Sequence, residues 1–244
     1  MPASQSSDCE PRPVPASRRN LLLASLRPGD ARLIEPHLSR VSYAPGDIVA
    51  SLDRPLDNAF FPETAIISFR DAGPASRPEI GMVGHEGMIG WPLLLGCESS
   101  PLMCVARTSG TARVIRKAPL LEACHISATL HAALLRYVHN FMLQMACTIA
   151  SSADTIERRV ARWVLMLDDR HEGEAMALTH DQIASALHVR RASVTDCLHL
   201  LEGDGVLKCV RGRIVVRDRH ALQVIAGAPY GVPEAHYAME IVRR

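Results

Sequence analysis

Leu178-Thr179-His180-Asp181-Gln182-Ile183-Ala184-Ser185-Ala186-Leu187, then His188-Val189, then Arg190 through Glu202, is the stretch on which the fold turns. Thr179 and Gln182 stand three apart ahead of an apolar run, a capping box that satisfies the first backbone amides of a helix. Ile183, Ala184 and Leu187 share one face of that helix. After the tight break at His188-Val189, a second helix from Arg190 to Glu202 buries Val194, Leu198 and Leu201. It turns Arg191, Ser193, Thr195 and Asp196 outward. Gly203-Asp204-Gly205 ends it. Val206–Val210 and Ile214–Val216 then read as a hairpin around Arg211-Gly212-Arg213. Helix, turn, helix and an Arg-tipped hairpin is the plan of a winged helix-turn-helix, in which small residues such as Ala184 let the helices approach and the second one enters a major groove. From His188 to Arg219 there are seven basic and four acidic residues, a local excess of three in a chain whose net charge is +1. That focus suits a phosphate backbone and points to double-stranded DNA as partner.

Working outward, the chain has 244 residues, 48% hydrophobic and 22% charged, enough for two domains of ordinary size and too apolar for wholesale disorder. Its mean hydropathy of +0.05 is too low for a membrane bundle. The best apolar run, Phe141 to Ala150, is half a bilayer long, so no membrane partner is expected. Met1 to Asn20, with Pro2, Pro11, Pro13 and Pro15, lacks an apolar core and reads as a floppy tail, not a signal peptide, which makes a cytoplasmic location the expectation. Seven scattered Cys form no CxxC pair and give neither a disulfide framework nor a structural zinc site. Most are read as small core residues. Lys117 and Lys208 are the only lysines; Arg carries the rest of the positive charge.

Upstream, Leu21–Leu26 and Leu33–Leu38 are spaced for short amphipathic helices, with Pro28-Gly29-Asp30 as the break between them. Val41–Tyr43, a Pro45-Gly46 turn and Ile48-Val49 begin a series of short strands. Apolar runs follow at Ala59–Phe61, Ala65–Phe69, Ile80–Val83, Met88-Ile89, Met103–Ala106 and Ala112–Ile115. Strands this short and this close predict an antiparallel sandwich or roll and not βαβ units. After Pro119 the period becomes helical. Ile126, Leu130, Leu134, Val138, Phe141, Met145 and Ile149 step by three or four, widened by Ala133, Tyr137, Met142 and Ala146. Residues 126–152 would form a helix of roughly 40 Å. Its stripe is too broad for one neighbour, so Leu130, Leu134, Val138, Phe141, Met145 and Ile149 are expected at a dimer interface. A helix from Thr155 to Leu167 follows, with Arg158, Arg159 and Arg162 expected outside.

The fold class is therefore α+β: a tail at 1–19, an antiparallel β-roll at 20–120, a dimerisation helix at 121–154, a winged helix-turn-helix at 155–225 and a C-terminal extension at 226–244. This order of parts resembles the Crp/Fnr family of bacterial transcription regulators. The resemblance covers roughly residues 20 to 225. It rests on Tyr43-Ala44-Pro45-Gly46-Asp47-Ile48, on Gly84-His85-Glu86-Gly87-Met88-Ile89-Gly90, and above all on Leu178-Thr179-x-x-Gln182-Ile183-Ala184 through Arg191-x-Ser193-Val194-Thr195 and Leu200-Leu201-Glu202. It implies a cyclic-nucleotide-domain-like sensor and a homodimer reading a palindrome. Arg191 would stand where the family reads a guanine, with bidentate contact to O6 and N7. Thr179, Arg190, Ser193, Thr195, Asp196, Arg211 and Arg213 complete the expected DNA contacts, and RNA polymerase is a candidate further partner. Two positions depart: Ala192 where the family often has Glu, and Asp196 where it often has Arg.

The sensor departs further. Nucleotide-binding relatives need a Glu for the ribose and an Arg followed by Ser or Thr for the cyclic phosphate. Here the stretch reads Gly90-Trp91-Pro92 and Ser100-Pro101-Leu102, which offers no guanidinium, so a phosphate would be buried unpaired. Cyclic AMP and cyclic GMP are not expected to bind. An unidentified small effector would be held by His85, Glu86, Trp91, Pro101 and Leu102. Only Cys9 lies near the N-terminus, too few thiols for an iron–sulfur cluster, and a turn histidine such as His85 is a poor basis for haem. No cofactor is expected. A redox thiol at Cys97 or Cys104 would have only Arg107 as a nearby activating cation. HExxH, GxSxG and P-loop patterns are absent, and an enzyme is not expected.

Overall fold

The computed structural model describes residues 20–51, 54–71 and 78–242. The tail at 1–19, with Cys9, lies outside them. α1 (Leu21–Ala24) and α2 (Pro28–Ile34) precede β1 (Ser39–Tyr43), β2 (Ile48–Ala50), β3 (Asn58–Pro62), β4 (Ile67–Asp71), β5 (Glu79–Val83), β6 (Leu102–Ala106) and β7 (Gly110–Arg116). These strands form two antiparallel sheets, ordered β1-β7-β3 and β2-β6-β4-β5, that face one another as a roll. Pro28 begins α2 and is not merely a break: its missing N–H is harmless at a first helical position. Met88-Ile89 makes only a single bridge, Phe60 to Ile89. Gly90 at φ 85° turns the chain at once into the 3-10 turn Trp91–Leu95, so no strand can extend there.

The expected helix from 126 is two helices, α3 (Lys117–Ile126) and α4 (Ala128–Ala150), meeting at 117°. Ser127 is extended (φ −123°, ψ 104°), and its hydroxyl accepts from the Leu130 amide to start α4. That hydroxyl also donates to Asp30 of α2, which pins the corner. The inner face of α4 closes the roll. Leu130, Leu134, Tyr137, Val138 and Phe141 are all buried in the core shared with Phe61, Ile67, Phe69 and Met88. Backbone approach is close: a Cβ on Gly87 would lie 2.2 Å from the Tyr137 hydroxyl, and one on Gly81 would lie 2.9 Å from Phe141. The expected dimer residues therefore need correction. Leu130, Leu134, Val138 and Phe141 are consumed by the chain's own roll and Met145 is half-buried against it, leaving Ile149 exposed.

A second core carries α5 (Ile156–Asp168), β8 (Ala175–Ala177), α6 (His180–Leu187), α7 (Arg191–Gly203), β9 (Leu207–Val210), β10 (Arg213–Val216) and α8 (Arg219–Ala226). β8 has no counterpart in the sequence expectation; it pairs with β10 and makes the hairpin a three-stranded sheet. Ile66 and Met82 of the roll lie in this second core, so the two domains are packed together. Arg162 was expected outside α5 but is only 5% exposed. It donates to the carbonyls of Gln144 and Pro229, because this side of α5 faces the end of α4 and not solvent. The C-terminal extension is part of the fold. α9 (Val232–Tyr237) returns to α4, and Tyr237 and Ile241 enter the roll's core. The Tyr237 hydroxyl donates to the Glu86 carbonyl at 2.6 Å.

Candidate nucleic-acid interface

Thr179 caps α6 through the expected box: its hydroxyl accepts from Gln182 N–H while Gln182 Oε1 accepts from Thr179 N–H at 2.8 Å. The turn to α7 is made by His188 at φ 51°, a left-handed residue that lets α6 end and the chain reverse within three residues. Val194, Leu198 and Leu201 lie in the core beneath α7. On its outer side Arg190, Arg191, Ala192, Asp196 and His199 are exposed and Ser193 is half-buried. Arg191 Nε lies 3.4 Å from the Asp181 carboxylate with both side chains about two-thirds exposed. Such a pair contributes at most about 1 kcal/mol and is readily exchanged for a base edge or phosphate. Thr195 is not free in the same way. Its hydroxyl donates to the Arg191 carbonyl at 3.1 Å, which makes His180 Nδ1, 2.9 Å away, the donor to it.

At the wing, Arg211 (φ 32°) and Gly212 (φ 75°) form a two-residue turn with both residues left-handed, the geometry that matches strand twist. Arg211 and Arg213 project from its tip, and Lys208 and Arg217 are exposed nearby. Arg219 does not join them. Its guanidinium is held by Asp168, Asp169 and the Tyr230 hydroxyl, so the cationic face is smaller by one than the sequence count.

The five residues expected around an effector are not gathered. Glu86 accepts from Arg170 Nε and Nη2, each at 2.8 Å, and from the Gly84 amide. With His85 it lines an open pocket of about 260 Å³ that is also lined by Arg170, Pro233 and Tyr237. Trp91 lies elsewhere, its ring 6.2 Å from that of Phe141. Leu102 pairs with Asp71 across β4 and β6, and Pro101 is exposed. The reason is α4: Tyr137, Phe141 and Trp91 occupy the space between roll and helix. Neither of the candidate redox thiols gains support. Burial pushes the Cys104 thiol up to about 12, away from a reactive thiolate, and Cys97 is simply exposed.

What the residue pattern concealed is the outer face of α4. Ala128, Ala132, Leu135, His139, Met142, Ala146 and Ile149 stand four and three residues apart in turn. All are exposed except Leu135, which is half-buried; Met142 is 54% and Ile149 69% exposed. That is a heptad seam of small and apolar side chains, readable from the sequence once the inner face is assigned. His139 interrupts it midway and stacks edge-on with His236 of α9, ring centres 4.9 Å apart.

The comparisons agree with this geometry. Residues 158–225 match the model of the Crp-like helix-turn-helix domain. No curated protein matches the chain in sequence. Among solved structures, FixK2 from Bradyrhizobium japonicum is similar at 20% identity and a TM-score of 0.67, over 78% of this chain and 98% of that one. TTHB099, a CRP-family transcriptional regulator from Thermus thermophilus, is 20% identical with a TM-score of 0.63, over 77% and 97%. The c-di-GMP-responsive regulator CLP from Xanthomonas campestris is 16% identical with a TM-score of 0.62, over 78% and 99%. With α7 exposed on one side, an Arg-tipped wing and a roll closed by one long helix, the chain shares the fold of these solved structures, and its residues 158–225 are a Crp-like helix-turn-helix domain.

Proposed function

We propose that the protein is a homodimeric, sequence-specific DNA-binding transcription regulator whose sensor does not use cyclic AMP or cyclic GMP. The observation that carries the reading is the outer side of α7. Arg190, Arg191 and Asp196 are exposed on a helix whose other side is fixed in a dry core, with Arg211 and Arg213 beside it on the wing. Arg191 suits guanine O6 and N7, and Asp196 suits a cytosine amino group. The wing arginines suit phosphates, which set register without reading sequence. The heptad face of α4 supplies the dimer: two copies joined along it would present two recognition helices to successive turns of a palindrome. Against a cyclic nucleotide stands the packing of Tyr137, Phe141 and Trp91 where a ligand under α4 would sit. A haem at His85 has no support either, since that turn is covered by α1 and α9. DNA as partner places the protein inside the cell, and RNA polymerase is the further partner to test.

Selection of bound duplexes from a random pool, with no ligand added, tests the reading. The expected product is a palindrome with half-sites about one helical turn apart. Failure to enrich any sequence, with or without cell extract, overturns it.

A further inference from the structure

Between the roll and the helix-turn-helix, beside the α4–α5 junction, lies a cavity of about 180 Å³. Met82 of β5, Trp163 and Met166 of α5 and Leu187 of α6 give it apolar walls. An apolar cavity of roughly 150 Å³ accommodates benzene, so the size suits a single ring with a small substituent. Two guanidinium groups, Arg159 and Arg162, also line it. Their hydrogen bonds go to neutral carbonyls, Arg159 to Leu187 and Arg162 to Gln144 and Pro229, the latter two at a long 3.3 Å. Among the described residues no ion pair ties either to a carboxylate. Glu79, the acid in the lining, is engaged by Arg107 and by the Trp163 indole N–H at 3.2 Å. Burial pulls the Arg162 guanidinium below its ordinary value; the charge of Glu234 opposes that shift without reversing it and without an ion-pair contact.

We propose that this cavity binds a small aromatic carboxylate, its ring between Met82, Trp163, Met166 and Leu187 and its carboxylate on Arg162 and Arg159. A buried guanidinium bonded only to weak neutral acceptors gains most from a charged one. Because the walls come from the roll, from α5 and from the first helix of the helix-turn-helix, an occupant ties the DNA-reading unit to the sensor in one orientation. A ligand that fits only this arrangement shifts the population toward it.

Calorimetric titration of the full-length protein with benzoate, and with the neutral isostere benzamide, tests the proposal without DNA, so its failure is separate from failure of the DNA reading. One saturable benzoate site per chain is expected, with benzamide weaker by about tenfold or more. Arg162→Gln should weaken benzoate by a similar factor, and Arg162→Lys should retain most of it. Should Arg162→Gln fail to fold, Met166→Trp fills the cavity while leaving both arginines and should abolish binding. No saturable binding of benzoate, equal binding of benzamide, or unchanged binding in a folded Arg162→Gln or Met166→Trp variant would overturn it.

Discussion

The two faces of α4 are made of similar material and meet different fates. The inner face carries Leu130, Leu134, Tyr137, Val138 and Phe141 and is sealed by the chain's own roll. The outer face carries Ala128, Ala132, Leu135, His139, Met142, Ala146 and Ile149 and stays exposed except at Leu135, which packs partly against the core, and at His139, which meets His236 of α9. The inner residues are large and fill a concave sheet; three of the seven outer ones are alanine, which lets a second helix approach along a narrow strip. The same contrast holds in α7, where Val194, Leu198 and Leu201 are satisfied within the chain while Arg190, Arg191 and Asp196 face outward. Stability and function are thus divided by face, and substitutions can be sorted by which face they touch.

The largest effect is expected inside. Phe141→Ala removes a ring packed 4.7 Å from Phe69 and should cost about 3–5 kcal/mol in urea unfolding. It should leave the outer strip of α4 competent to associate in sedimentation runs on the folded fraction. Loss of association without loss of stability would invert the assignment of the two faces. On the outer side, Met142→Glu combined with Ile149→Glu sets like charges against their symmetry mates, at a cost of about 3 kcal/mol to association. The folded protein should then sediment as a monomer. A dimer that survives both changes would show that the partner sits elsewhere.

Arg191→Ala tests the corresponding division in α7. It should cost about 1–3 kcal/mol in binding to the selected duplex and relax preference at one base pair. Its melting temperature should barely move, since the pair with Asp181 is exposed. The smallest effect concerns the closure of the inner side by the C-terminal extension. Tyr237→Phe deletes the hydrogen bond to the Glu86 carbonyl and should lower unfolding free energy by about 1 kcal/mol, with DNA affinity unchanged. A larger drop in DNA affinity than in stability would show that the extension also positions the recognition helix.

The helix-turn-helix was legible because its signals are local. Thr179 and Gln182 cap within one turn, His188 breaks the chain, and the Arg211-Gly212 hairpin closes over two residues. The short strands of the roll were legible too, since Gly and Pro punctuate them. Met88-Ile89 misled because an apolar pair beside Gly87 and Gly90 looks like a strand while the glycines bend it away. β8 was missed because three residues carry no period.

Amino-acid order by itself determined the α+β class, the winged helix-turn-helix and a long helix with more apolar surface than one neighbour can use. Periodicity and capping act over a few residues, and those are written in the chain. Only the tertiary structure decided which stripe of α4 meets the roll, that Arg162 turns inward and Arg219 is held by Asp168 and Asp169, that the expected effector residues do not meet, and that the C-terminal extension returns to the sensor. Each of these depends on which surfaces compete for burial across long sequence separations. A helical stripe records that a face is apolar; its partner is chosen by shape, as Gly81 and Gly87 choose Phe141 and Tyr137.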